Sequence, residues 1–273
     1  MAKKTFGQQI VQHTGRWLYA IWADWNGSLT FYTGLPLPQN WPTEFRWVAR
    51  WVPLVGAVVG GLLAASDWAL MQIEMPVAVV STLIVSLWIL MTGGLHLDGV
   101  MDVADGLAVP AWGEGSTKRR LAAMADSRMG AFGGMAAIAL LLIKVTSLAA
   151  LTEDRWFALM AVAVWGRWGQ QWAIAQYPYL KKEGKGAFHQ QALPTVWYAL
   201  PGLLCAIGAS LILSILGWVS WQMVCQSIVG GVVLSVLTSA YFNRQLGGQT
   251  GDTYGAVVEW TEALLLCVLT IEG

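Results

Sequence analysis

The stretch Gly93 to Gly106 reads GGLHLDGVMDVADG and places His96, Asp98, Asp102 and Asp105 within ten positions. It follows seventeen residues, Pro76 to Thr92, that carry no charge. The aspartates are spaced i, i+4, i+7, so a helix would set all three on one face. Like charges on one stripe repel, and a solvated helix face just beyond a membrane is the plain alternative. Small or apolar residues between the acids suit a packed helix instead. Such a face fits a hard divalent cation, because Mg²⁺ takes one or two carboxylates and completes its shell with water and phosphate. Gly99 and Gly106 would let a ligand or a neighbouring helix approach, and His96 would add a base.

Two further groups carry charge in a pattern. Lys118-Arg119-Arg120 is followed by Asp126-Ser127-Arg128 and a helix opening at Gly130, Gly133 and Gly134. Lys118 and Arg119 read as membrane anchors, whereas Asp126 and Arg128 stand directly before that helix, whose N-terminus could hold phosphate. The glycine-rich run 246–255, with Thr250 and Asp252, leads into a helix bearing Glu259 and Glu262. Asp252 and Glu259 are seven apart and share a face. Carboxylates in a span are costly, and function is their default reading; the alternative is a glutamate paired with Arg167 or Lys144.

The elements that position these residues are long and apolar. The 273 residues are 56% hydrophobic and 12% charged, with zero net formal charge, which excludes a global electrostatic pull toward nucleic acid. Seven spans are expected, roughly 51–71, 76–95, 131–151, 156–176, 196–217, 221–241 and 256–271. They lack the alternation of barrel strands, so the fold class is all-α, a polytopic membrane bundle. One domain is expected, residues 1–46 forming an N-terminal interfacial segment and 47–273 the bundle. Residues 17–41 are too polar to span and read as an interfacial helix followed by an extended stretch. The early lysines lack the apolar run of a cleaved leader. Cys205, Cys225 and Cys267 read as packing residues, and several tryptophans near span ends read as interfacial anchors.

With the N-terminus inside, Lys3, Lys4, Arg16, Arg46, Arg50, Lys118, Arg119, Arg120, Arg128, Lys181, Lys182, Lys185 and Arg244 face the cytoplasm, thirteen of sixteen basic residues. Arg155 falls in a short external connection. The charged groups then gather on the cytoplasmic side.

Three segments, GGLHLDGVMDVADGL (93–107), MADSRMGAFG (124–133) and LGGQTGDTYGAVVEWTE (246–262), resemble cobalamin synthase, the adenosylcobinamide-GDP ribazoletransferase family. The similarity extends back to Leu35-Pro36-Leu37-Pro38, although Gly34 stands where many relatives have arginine. The resemblance implies an Mg²⁺-dependent enzyme of the bacterial inner membrane that joins adenosylcobinamide-GDP to α-ribazole or its 5′-phosphate and releases GMP. It implies metal held by Asp98, Asp102, Asp105, Asp252 and Glu259, and proton transfer by one of the first three or His96. Pyrophosphate would fall to Arg120, Arg128 and Lys185, with Asp126 and Thr250 beside them. Lipid and the two substrates are the implied partners, and a homo-oligomer is compatible with this reading. A CDP-alcohol phosphotransferase would share Asp102-x-x-Asp105-Gly106, but Leu107 to Pro110 lack that family's continuation. A secondary transporter would place its acids near mid-span and show an internal repeat.

Overall fold

The computed structural model describes residues 6–181 and 187–271. Among them the chain is helical, and its only bridge of extended backbone joins Tyr179 to Gln249. The helices are α1 (Phe6–Tyr32), α2 (Val52–Gln72), α3 (Val77–Met91), α4 (Leu95–Ala108), α5 (Ser116–Met124), α6 (Ala131–Ala150), α7 (Arg155–Gln176), α8 (Ala187–Ala192), α9 (Leu200–Ile215), α10 (Trp221–Leu246) and α11 (Gly251–Leu269). Local chemistry marks their ends. Pro53 and Pro201 sit in the first turns of α2 and α9, where a missing N–H costs nothing. Gly247 closes α10 in the left-handed region, at φ 80°.

Each of the seven expected spans is helical, but the helices divide into two kinds. Four described stretches, Val52–Gln72, Ala131–Ala150, Val196–Ile215 and Trp221–Leu246, are long and apolar enough to cross a membrane. The pair α3 and α4 adds a fifth if its two halves are one broken span, bent by 89°. Gly93 and Gly94 make that bend with φ of 62° and 70°. Helices α7 and α11, at 22 and 19 residues, are long enough but carry polar side chains and are buried on nearly every face. They form the centre, α7 packing on α2, α10 and α11, and α11 on α4, α6 and α10. Run length in a sequence does not separate a lipid-facing helix from one wrapped by its neighbours.

The N-terminal helix leaves Trp17, Leu18 and Tyr19 exposed and is tied to the bundle by its second half. Asn26, Ser28, Leu29 and Tyr32 of α1 are buried. The segment after α1 returns over the helix, with the Glu44 amide donating to the Ala23 carbonyl at 3.0 Å and the Gly34 amide to the Met91 carbonyl at 2.7 Å. The tryptophans divide in the same way: Trp68, Trp197, Trp218 and Trp221 are exposed, whereas Trp88, Trp165 and Trp168 are core.

Antiparallel packing gathers one set of helix ends together: the start of α2, α6, α9 and α11 and the end of α7 and α10. Arg50, Lys118, Arg119, Arg120, Arg128, Lys181 and Arg244 lie at or near this end. Arg155 begins α7 at the opposite end, but it is not in an open connection as expected. It is buried, and its guanidinium donates to both carboxylate oxygens of Asp67, at 3.0 and 2.6 Å, and to Ser81 at 3.2 Å. The hairpin of α2 and α3 brings Asp67 within reach, and no local pattern announces that partnership.

A second buried ion group ties α6 to α11. Lys144 Nζ is 2.6 Å from carboxylate oxygens of both Glu259 and Glu262 and lies 4.2 Å from the centre of the Trp88 ring. Removing one partner of a buried ion group leaves uncompensated charge, at a cost of about 3–5 kcal/mol. Lys144→Met should lower the thermal midpoint in detergent by that amount of stability. Adding Glu259→Gln and Glu262→Gln to it should restore much of the loss.

Candidate active site

Two glycines set the distance between α4 and α11. A Cβ at Gly99 would lie 2.5 Å from the Asp252 carbonyl oxygen, and one at Gly255 would lie 3.0 Å from the His96 Cα. The helices therefore run antiparallel in near backbone contact. This brings Asp98 and Asp102 of α4 to Asp252, in the first turn of α11. The start of α11 is fixed in turn. Thr250 and Thr253 cap each other, the Thr253 amide donating to Thr250 Oγ1 at 3.2 Å and the Thr250 amide to Thr253 Oγ1 at 2.7 Å. Gln249 is bonded on both sides to the 178–180 segment, at 2.8 Å each. That pairing carries Lys181 to the site, its Nζ 3.1 Å from Asp252 Oδ2.

Asp98 is exposed, while Asp102 and Asp252 are half-buried. Asp102 lies on α4 outside the four apolar spans. Burial, then the nearby charges of Asp98 and Asp252, push its carboxyl up to about 6. Among the described residues no group of three or more His, Cys, Asp and Glu side chains forms a ready-made metal chelate. Asp98, Asp102 and Asp252 fit a cation that keeps much of its shell for water and phosphate. The nearness of Asp98 and Asp252 to Asp102 is the observation that favours a bound positive group there.

The other expected site residues have different partners. Asp105 accepts hydrogen bonds from the Gly130 and Gly133 amides at 2.8 Å each and so caps α6 from a distance. A Cβ at either glycine would collide with that carboxylate. The helix N-terminus expected to hold phosphate therefore already holds an internal anion. Arg120 is buried, not poised for pyrophosphate: it donates to the carbonyls of Val109 and Gln245, at 3.0 and 2.8 Å, and joins α5 to the ends of α4 and α10. Asp126 and Arg128 pair with each other in the loop before α6, at 2.7 Å. Hydrogen bonds from Arg128 hold the Asp126 carboxyl down at about 2. Arg128 remains exposed, so of the expected arginines it alone faces solvent as a ligand would require.

Thr250 is fully buried as the cap of α11 and offers no phosphate contact. Glu259 shares a helix face with Asp252, but seven residues along α11 is about 10 Å deeper into the bundle. There it meets Lys144, the pairing that was its alternative reading, and not the aspartates. His96 is buried, with Nε2 3.0 Å from an Arg167 nitrogen that can donate to it. Arg167 also donates to the Tyr32 carbonyl at 3.1 Å, so the pair anchors the first turn of α4 to α7 and α1. That geometry positions Asp98 and Asp102 and does not suit His96 to meet substrate. Lys185 lies outside the described residues.

Lys181 was counted in the sequence only as a membrane-flanking charge. Its partner is 71 positions away, and only the pairing of 178–180 with Gln249 brings the two together. Arg167, read from the sequence as one possible partner of a glutamate, instead bonds His96 and the Tyr32 carbonyl, because the glutamates are taken by Lys144.

This fold and site define an integral membrane protein with a carboxylate and lysine cluster suited to phosphate chemistry, at one end of a helical bundle. The family model described as Cobalamin-5-phosphate synthase matches residues 24–270. The adenosylcobinamide-GDP ribazoletransferase of Trichormus variabilis is 52% identical over 244 residues, 89% of this chain and 95% of the relative. That of a Synechococcus species is 47% identical over 254 residues, 92% of this chain and 97% of the relative. A Synechocystis relative of the same name is 40% identical, covering 94% of this chain and 98% of its own length. No solved structure matches. The chain belongs to the adenosylcobinamide-GDP ribazoletransferase family of enzymes.

Two outcomes follow from this geometry. Asp102 has a higher proton affinity in the fold than the ordinary carboxylate value of 3.8, so its contribution to stability falls as pH rises from about 4 to about 6. A divalent cation held there would compete with that proton. The thermal shift conferred by Mg²⁺ should therefore be small near pH 5 and larger near pH 7, and Asp102→Asn should flatten the difference. Asp105→Ala should cost about 1–2 kcal/mol of stability, the range for a lost helix cap, measured by thermal unfolding.

Proposed function

We propose that the chain transfers adenosylcobinamide phosphate from adenosylcobinamide-GDP to a ribose hydroxyl of α-ribazole, or of its 5′-phosphate, and releases GMP. The product is adenosylcobalamin or its 5′-phosphate. The reaction takes place at the cytoplasmic face of the bacterial inner membrane, where the helix ends bearing most basic residues would lie. The observation that carries this reading is the meeting of Asp98, Asp102, Asp252 and Lys181 across the close contact of α4 and α11.

Asp98, Asp102 and Asp252 would hold Mg²⁺, which when bound supplies charge neutralisation to the pyrophosphate. Lys181 would exchange Asp252 for a phosphate oxygen of the donor and orient the bond to be broken. Asp102, half-buried beside that cation, would also accept the proton of the attacking hydroxyl. Asp105 and the His96–Arg167 pair hold α4 in register. Little covalent chemistry is asked of the protein, since phosphoryl transfer depends mainly on positioning and charge.

The test uses the full chain purified in detergent with adenosylcobinamide-GDP, α-ribazole and Mg²⁺, and follows GMP by chromatography. GMP release that requires both substrates and Mg²⁺ is expected. Asp102→Asn should lower kcat about 100-fold or more, the scale of a lost general base. Lys181→Met should act mainly on KM. Undiminished release from Asp102→Asn would remove this residue from the chemistry, and no GMP under any condition would overturn the reaction itself.

A further inference from the structure

A cavity of about 700 Å³ lies among α1, α2, α7 and α9, on the flank of α7 turned away from the aspartates. Along α9 it is lined by Gly202, Ala206, Ala209, Ser210 and Leu213, mostly small residues that recur about every four positions. The facing helices contribute apolar side chains, among them Leu54 and Ala57 of α2 and Met160 and Val164 of α7. From Gly202 to Leu213 the trough follows about 16 Å of helix, roughly half of a ~30 Å hydrocarbon core. Both α2 and Val196–Ile215 have the length and apolarity of membrane spans. The trough therefore sits at hydrocarbon depth and is one leaflet deep.

One end of this trough is different in kind. Asp24, Arg50, Trp47 and Tyr198 line its mouth. The exposed Arg50 guanidinium lies 4.1 Å from the centre of the Trp47 ring and 4.9 Å from that of Tyr198, and its Nε donates to the Ala192 carbonyl at 3.0 Å. Arginine and tryptophan at this level mark a membrane–water interface. An apolar channel one leaflet deep, with a fixed cation at the interface, has the outline of an amphiphile with one acyl chain in the trough.

We propose that this trough is a binding site for a glycerophospholipid, one acyl chain lying along α9 and the headgroup phosphate on Arg50. Asp24 then accepts a hydrogen bond from the donor group of the head. A helix from a second copy would have to enter a trough whose walls carry Trp51, Phe157 and Trp165 opposite the small residues of α9. Water gains few polar partners along such walls. A lipid satisfies both the apolar wall and the charged mouth, and the surrounding bilayer supplies it at high concentration.

Native mass spectrometry of the detergent-purified full chain, supplied with phosphatidylglycerol or with diacylglycerol of the same chains, tests the assignment. Retention of one phosphatidylglycerol per chain is expected, with at least tenfold less diacylglycerol, which lacks the phosphate. Arg50→Gln should remove that preference. Ala57→Trp, which fills the trough, should lower retention tenfold while leaving elution volume and helicity unchanged. If Ala57→Trp does not fold, Ala209→Trp blocks the same channel from α9. Equal retention of both lipids, or full retention in the filled variants, would overturn the proposal. So would displacement of the lipid by adenosylcobinamide-GDP, which would make the trough part of the substrate site.

Discussion

The separation of α4 from α11 is the constraint on which the site depends. Two glycines, one on each helix, remove the side chains that would hold these backbones apart, and three carboxylates on two helices become one cluster. That proximity is electrostatically unfavourable in itself, and it adds to burial in raising the proton affinity of Asp102. The structure sustains it by fixing each helix elsewhere. The Asp105 carboxylate binds α4 to the start of α6, the His96–Arg167 contact binds it to α7, and the Thr250 cap holds the start of α11. The repulsion is thus confined to the surface end of the cluster, where water, a cation or phosphate can relieve it.

The charges of this chain sort by depth. Within the bundle, Lys144 bonds both Glu259 and Glu262, with Arg167 near Glu262 as a second buried cation, and Arg155 pairs with Asp67. Each of these groups is closed, with its partners supplied by neighbouring helices, as burial in low dielectric requires. At the end of the bundle the balance is incomplete: among the described residues Asp98, Asp102 and Asp252 face a single lysine. Closed pairs stabilise helix packing, and the open cluster is the one able to exchange a partner for a ligand. The same contrast separates Arg120, which donates to the Val109 and Gln245 carbonyls and to Gln245 Oε1, from Lys181, whose hydrogen bond to Asp252 is one a phosphate could replace.

Much of the architecture was legible because lipid imposes a simple rule: backbone polar groups must be paired within the segment. All seven expected spans are helices, and the aspartate stretch 98–105 is one as well. The count of crossing segments was less legible, since α7 and α11 are core helices whose polar residues are answered by neighbours. Within the site, Asp98, Asp102 and Asp252 stood out by type and spacing and do come together. Asp105, Glu259, Arg120 and Thr250 stood out equally and are engaged in capping, ion pairing and helix junctions.

By itself the sequence determined the all-helical membrane bundle, the helix faces on which acids lie, and the family to which the three motifs point. Periodicity reports an angle about a helix axis and nothing of depth or of what stands opposite. It could therefore set Asp252 and Glu259 on one face, but not place one at the open end and the other against Lys144. Only the tertiary structure decided that Asp105 serves α6, that Arg167 holds His96, and that Lys181 crosses 71 positions to reach Asp252. Those partners come from helices far apart in the chain, and close packing, not local sequence, selects them.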